Sequence, residues 1–156
     1  DFINSTPCCR SVDMSRTIRT ILKDQEPLTA PATMTVGEAA RLMKQGKFGA
    51  VMVVENGSLA GIFTERDALF RVVAEGHDAQ ITRLAAVMTR NPETIHPDRP
   101  FAEALHLMHL HGFRHVPVVE DGRPIGMVSA RDAFGEELEN FIYELLRQKQ
   151  IKDLVP

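Results

Sequence analysis

The stretch Gly61-Ile62-Phe63-Thr64-Glu65-Arg66-Asp67 returns later in the chain as Gly126-Met127-Val128-Ser129-Ala130-Arg131-Asp132. Glycine, two apolar residues, a hydroxyl and, three positions on, a carboxylate recur in the same order. One offset of 65 residues relates both the glycines (61 and 126) and the aspartates (67 and 132). Working outward, the same offset pairs Pro27 with Pro92, Glu38-Ala39 with Glu103-Ala104, Leu42-Met43 with Leu107-Met108, Phe48 with Phe113, and Val53-Val54-Glu55 with Val118-Val119-Glu120. No gap is needed. A fixed, ungapped period means one supersecondary unit used twice, and two copies are too few for a solenoid, so the chain reads as a paired module.

The totals agree with one compact object. A chain of 156 residues can bury about two-thirds of its unfolded surface. Its 44% hydrophobic and 25% charged content is ordinary for a globular domain and excludes disorder over most of the length. A net charge of −3 provides no basic field for nucleic acid, so an anionic ligand needs local cations. No apolar run reaches the roughly 18 residues of a membrane span, and no signal-peptide pattern opens the sequence. The two cysteines, Cys8 and Cys9, are adjacent; they form no disulfide framework and fit a reducing, cytoplasmic setting.

Within each copy the pattern is β-α-β-β-α. Val36, Ala39, Ala40 and Met43, and Phe101, Ala104, Leu105 and Met108, recur at helical spacing. Gly46 and Gly112 are expected to end those helices. Asn56-Gly57 and Asp121-Gly122 each sit between β-branched runs, a hairpin signal. A second helix is expected to start at Thr64 and at Ser129. The division is a lead-in at 1–16, repeat 1 at 17–76, a linker at 77–81, repeat 2 at 82–135, and a C-terminal helix and tail at 136–156. Phe134, Leu138, Phe141 and Leu145 form an apolar seam on that last helix, suited to a partner helix or to its own repeat.

Thr64 with Asp67, and Ser129 with Asp132, have the spacing of a capping box, which by itself accounts for the pattern through about 1 kcal/mol of helix stability. Two features point further. Gly61 and Gly126 lie where a missing side chain lets another group approach the strand. Arg66 and Arg131 lie in the first turn, where a cation is unfavourable unless an anion is near. Amide groups, a hydroxyl and an arginine suit a phosphate, and a carboxylate suits a pair of ribose hydroxyls, so the pattern fits a nucleotide.

These motifs, the Phe113-Arg114-His115-Val116-Pro117-Val118 segment and the internal repeat resemble a tandem pair of cystathionine β-synthase (CBS) domains over residues 17 to 135. The resemblance implies an α+β fold of two repeats related by a pseudo-two-fold axis, in a homodimer without catalytic activity. It implies a regulatory sensor that binds AMP, ADP, ATP, NAD or S-adenosylmethionine between the repeats and reports to an effector protein. Asp67 and Asp132 would hold ribose, Thr64 and Ser129 phosphate, and the backbone near Val51 and Val116 would border adenine, with Gly49 and Ala50 also among the ligand-binding residues.

The copies differ where Arg114-His115 replaces Gly49-Ala50, so two non-equivalent sites are expected, the one reached by Arg114 favouring more phosphate. Pro117, opposite Met52, would stiffen the strand or wall the base pocket. His106, His109 and His111 read as a solvated helix face, because their spacing completes no compact ligand set. Met43 and Met108 read as core. The competing reading is a structural dimerisation module in which both hydroxyl–carboxylate pairs act only as caps. No nucleophile–base pair or P-loop supports an enzyme.

Overall fold

The computed structural model describes residues 16–133 and Arg147. The expected seam of Phe134, Leu138, Phe141 and Leu145, and Cys8-Cys9, lie outside the described residues. The first copy contains β1 (Thr29–Pro31), helix α2 (Val36–Gly46), β2 (Ala50–Glu55), β3 (Ser58–Thr64) and α3 (Glu65–Asp67), which continues as a π-turn over Ala68–Val73; a short α1 (Ile18–Ile21) precedes it. The second has α4 (Leu84–Val87), β4 (Thr89–Arg90), α5 (Phe101–His111), β5 (His115–Glu120), β6 (Arg123–Ser129) and a 3-10 turn over Ala130–Ala133.

The hairpins turn where the sequence places them. Asn56 and Gly57 have φ of 53° and 77°, and Asp121 and Gly122 have 51° and 78°, as a two-residue turn matched to strand twist requires. Both hairpins slip register at equivalent points, between Val53 and Val54 and between Val118 and Val119. One extra residue there, Ala60 or Ile125, bends the strand just before the motif glycine. α2 ends at Gly46, as expected, and Lys47 after it takes the left-handed conformation at φ 56°. Its counterpart at the end of α5 is Gly112, at φ 72°.

The outer strands diverge between copies. Met52 donates its amide to Leu28 O at 3.0 Å, starting a three-residue parallel pairing of β1 with β2. The equivalent residue in β5 is Pro117, which has no amide to give, and only the bridge of Ile95 with Val118 forms. Pro117 is buried in β5, and its carbonyl accepts from Ile95 N at 3.1 Å, so its structural effect is to shorten this edge.

Core ownership crosses the repeats. The first core joins Val36, Ala39 and Met43 of α2 to Val51, Val53 and Phe63, and is completed by Leu84, Val87 and Met88 from the start of the second copy. The second joins Phe101, Ala104 and Met108 of α5 to Val116, Val118 and Val128, and is completed by Ile18 and Leu22 from the start of the first. Each leading helix therefore closes the other repeat. Arg19 holds the exchange from outside, with Nη2 on Glu120 at 2.8 Å and Nε on Asp98 at 2.9 Å. Both carboxyl pKa values fall below their ordinary range because they accept from this guanidinium.

The motif glycines serve this exchange. A Cβ on Gly61 would lie 2.8 Å from Thr89 O and 2.7 Å from Met88 Sδ, and one on Gly126 would lie 2.8 Å from Leu22 Cδ2. What approaches each strand is the exchanged segment of the other repeat. β4 thereby pairs with β3, Gly61 opposite Arg90. In the second copy a side chain replaces that strand: Met127 N donates to Gln25 Oε1 at 2.8 Å. On the faces turned away from the cores, Ala50, Met52 and Ile62 are also buried, and there β3 meets β6 across the pseudo-two-fold axis.

Candidate functional site

Each hairpin brings its motif hydroxyl beside the start of the preceding strand. Ala50 pairs with Thr64 and His115 with Ser129. Glu65 N donates to Gly49 O at 3.0 Å, and Ala130 N donates to Arg114 O at 2.9 Å. The first amide after each hydroxyl is thus committed to a loop carbonyl, which narrows the expected phosphate seat to side chains and later amides.

The first hydroxyl–carboxylate pair makes a reciprocal capping box, and the second makes only the bonds onto its carboxylate. Asp67 Oδ2 accepts from Thr64 N at 2.9 Å and from Thr64 Oγ1 at 3.1 Å, while Thr64 Oγ1 accepts from Asp67 N at 3.2 Å. Asp132 Oδ2 accepts from Ser129 N at 2.7 Å, with Ser129 Oγ at 3.4 Å. The remaining oxygens differ. Asp67 Oδ1 faces Arg71 Nε at 3.5 Å, whereas Asp132 Oδ1 has no hydrogen bond or ion pair among the described residues.

A cavity of about 1030 Å³ opens at the seam between the repeats. The second copy contributes Arg114, His115, Ser129, Arg131 and Asp132; the first contributes Gly49, Ala50, Phe48 and Glu65. The segment Gln25 to Leu28, crossing from the second core to the first, forms another wall, and Lys44 and Lys47 at the end of α2 form the next. Thr64, Arg66 and Asp67 sit at the pseudo-symmetric place and do not line this cavity. The Arg66 guanidinium lies 5.5 Å over the Phe70 ring instead. Val51 and Val116 are fully buried in their strands, with side chains in the cores.

His115 occupies the seam. A Cβ on Gly49 would lie 3.1 Å from both Cε1 and Nε2 of this ring, so the imidazole fills the space that the glycine leaves. Burial pushes its pKa below the ordinary value, Arg131 and Arg114 add to that, and Glu65 and Asp132 pull the other way. At neutral pH the ring is therefore uncharged. His106, His109 and His111 are exposed on α5, and no three potential metal ligands come together among the described residues.

The sequence reading missed Lys44, Lys47, Phe48 and Glu65 as cavity residues. The available signal was the offset itself, which sets Lys44 and Lys47 against His109 and Gly112.

Two exchanged α+β repeats with a charged cavity at their seam define a paired-repeat module. The CBS domain model matches residues 12–74 and 84–139, and the chain belongs to the CBS domain family. The CBS domain-containing protein YhcV of Bacillus subtilis (strain 168) is 36% identical over 112 residues, a match covering 72% of this chain and 79% of that protein. Against three longer CBS domain-containing proteins of Arabidopsis thaliana, the chain spans only 18%, 22% and 19% of their length. A CBS domain protein from Pyrobaculum aerophilum, solved in complex with AMP, superimposes with a TM-score of 0.69 at 26% identity, covering 75% of this chain and 89% of that one. A CBS domain pair solved with 5′-methylthioadenosine and S-adenosyl-L-methionine superimposes with a TM-score of 0.67 at 28% identity, covering 75% and 95%. No helix among the described residues is long and apolar enough to cross a membrane.

Proposed function

We propose that this chain is a non-catalytic regulatory module that binds an adenosine-containing nucleotide in the seam cavity and signals its occupancy to a partner protein. The observation carrying this reading is the convergence of Asp132, with one carboxylate oxygen uncommitted among the described residues, and the cations Arg114 and Arg131 on one cavity between the repeats. The ribose would sit on Asp132 and the phosphate near Ser129, Arg114 and Arg131. The complexes of similar modules with AMP, methylthioadenosine and S-adenosylmethionine support the adenosine class. Because the cavity has walls from both repeats and from the Gln25–Leu28 crossing, a ligand that prefers one spacing of the halves would shift the module toward it.

The test is calorimetric titration of AMP, ADP, NAD and S-adenosylmethionine into the wild type, Asp132→Ala and Asp67→Ala. Both substitutions remove a helix cap and cost about 1 kcal/mol of stability, so their melting curves serve as mutual controls. Saturable binding lost in Asp132→Ala and kept in Asp67→Ala supports the reading; binding indifferent to Asp132 rejects it.

The second reading, a structural homodimerisation module, is favoured by the completed Thr64–Asp67 cap and by the apolar surface after α3. Leu69 and Phe70 are each 53% exposed and Val73 is 69% exposed, a face suited to a second copy. Absence of binding to all four ligands, together with a dimer disrupted by Phe70→Glu, would favour it.

A further inference from the structure

We propose that the seam cavity selects adenosine nucleotides with two or more phosphates, and that Lys44 and Lys47 are its specificity-determining residues. This deepens the nucleotide reading above and rests on it.

Four permanent cations line this one cavity: Lys44 and Lys47 from α2, Arg114 before β5, and Arg131. None of their side chains makes an ion pair or hydrogen bond among the described residues. In a chain of net charge −3 the lining carries a small excess of cations over carboxylates, and unpaired cations in a cleft attract an anionic ligand. Glu26, Glu65 and Asp132 also line the cavity. Asp132 is held by its bond from Ser129 N, and Glu65 acts on His115, so two of the three carboxylates are engaged with second-copy groups, whereas Lys44 and Lys47 come from the first copy.

The repeat provides an internal comparison. At the offset of 65, the second copy has His109 for Lys44 and Gly112 for Lys47, and the first copy has Gly49 for Arg114. The pseudo-symmetric positions thus lack three of the four permanent charges. Lys47 stands out further because its φ is 56°. A left-handed lysine costs roughly 1–2 kcal/mol that the glycine at the same place in α5 avoids. Backbone strain of this kind persists where a side chain is needed at a site. A single 5′-phosphate close to ribose is within the province of Ser129, Arg114 and Arg131. Two lysines three residues apart at the end of α2, contributed by the other repeat, fit the second and third phosphates, which are more highly charged and farther from the sugar.

The experiment titrates AMP, ADP and ATP, without divalent metal, into the wild-type chain and into Lys44→Gln, Lys47→Gly and the double variant. Lys47→Gly places a glycine where the backbone already suits one, so the fold is retained or strengthened. Support consists of wild-type affinity rising from AMP to ATP, ATP affinity falling roughly tenfold or more in the double variant, and AMP affinity changing less than about twofold. Equal affinity of the wild type for AMP and ATP overturns the inference and leaves the nucleotide reading standing. Equal losses for AMP and ATP in the double variant also overturn it, because the lysines would then act without regard to phosphate number. If the wild type binds no adenosine nucleotide at all, the nucleotide reading and this inference fail together.

Discussion

Replacing Gly61 by alanine tests the claim that the motif glycines exist to admit the exchanged segments. The added Cβ would lie 2.8 Å from Thr89 O, a backbone atom fixed by the pairing of Ile62 with Thr89, and 2.7 Å from Met88 Sδ, which is itself buried. An ordinary contact needs more than half an ångström extra, so β4 must retreat from β3 and weaken its pairing and the Asn91 N to Ala60 O bond of 3.3 Å. Overpacking of this kind costs about 2–3 kcal/mol. At roughly 2–4 °C per kcal/mol for a chain of this size, the melting temperature should fall by about 5–10 °C.

Gly126→Ala meets mainly Leu22 Cδ2 at 2.8 Å and Gln25 Oε1 at 3.0 Å. Those are side-chain atoms that can rotate, and the cost should be about 1–2 kcal/mol. Urea unfolding followed by circular dichroism measures both. The reasoning is refuted if Gly61→Ala is no more destabilising than Gly126→Ala, or if its midpoint lies within error of the wild type.

Two further predictions concern the crossed cores and the seam. Leu84→Ala removes a fully buried side chain from a core built largely of first-copy residues and should cost about 2–5 kcal/mol; Leu110→Ala, at a residue 65% exposed, should change stability by less than about 0.5 kcal/mol. A loss below about 1 kcal/mol for Leu84 would contradict the exchange. His115 has a folded pKa below its unfolded value of about 6.5. The unfolded state therefore binds the proton first, and stability contributed by the neutral ring is present above that pH and lost as pH falls through it. Comparing urea midpoints at pH 7.5 and 5.5, the wild type should lose more than His115→Gln does. Equal losses would remove the imidazole from the account.

The duplicated hairpins, the helix caps and the family were legible in the sequence because they depend on local chemistry and a fixed offset. The exchange was not. Ile18, Leu22, Leu84 and Val87 carry enough apolar character to predict burial, but two halves of the same architecture offer equivalent partners, and periodicity cannot choose between them. The glycines of the motif illustrate the same limit: a close approach was correctly expected, yet the approaching group is Thr89 or Leu22 rather than a ligand. Lys44 and Lys47 were passed over because lysines near a helix C-terminus read as a solvated end favoured by the dipole. Only the position of α2 beside the second repeat turns them toward a cavity. Pro117 was read as stiffening a strand, and its larger effect, shortening the edge opposite Ile95, emerged from a missing amide.

The crossing of the leading helices has a consequence for how the chain acquires its shape. α1 is the first of the described elements to be synthesised, yet its docking surface is built from residues as distant as Glu120, 101 positions along from Arg19. During synthesis it must wait until nearly the whole described chain has emerged, whereas α4 finds its surface already made. Contacts of such long sequence separation slow the search, and an early helix with an unsheltered apolar face is a point at which a nascent chain can associate wrongly. Among the described elements, the order of completion therefore runs opposite to the order of translation: α1 precedes α4 in the chain and is housed after it.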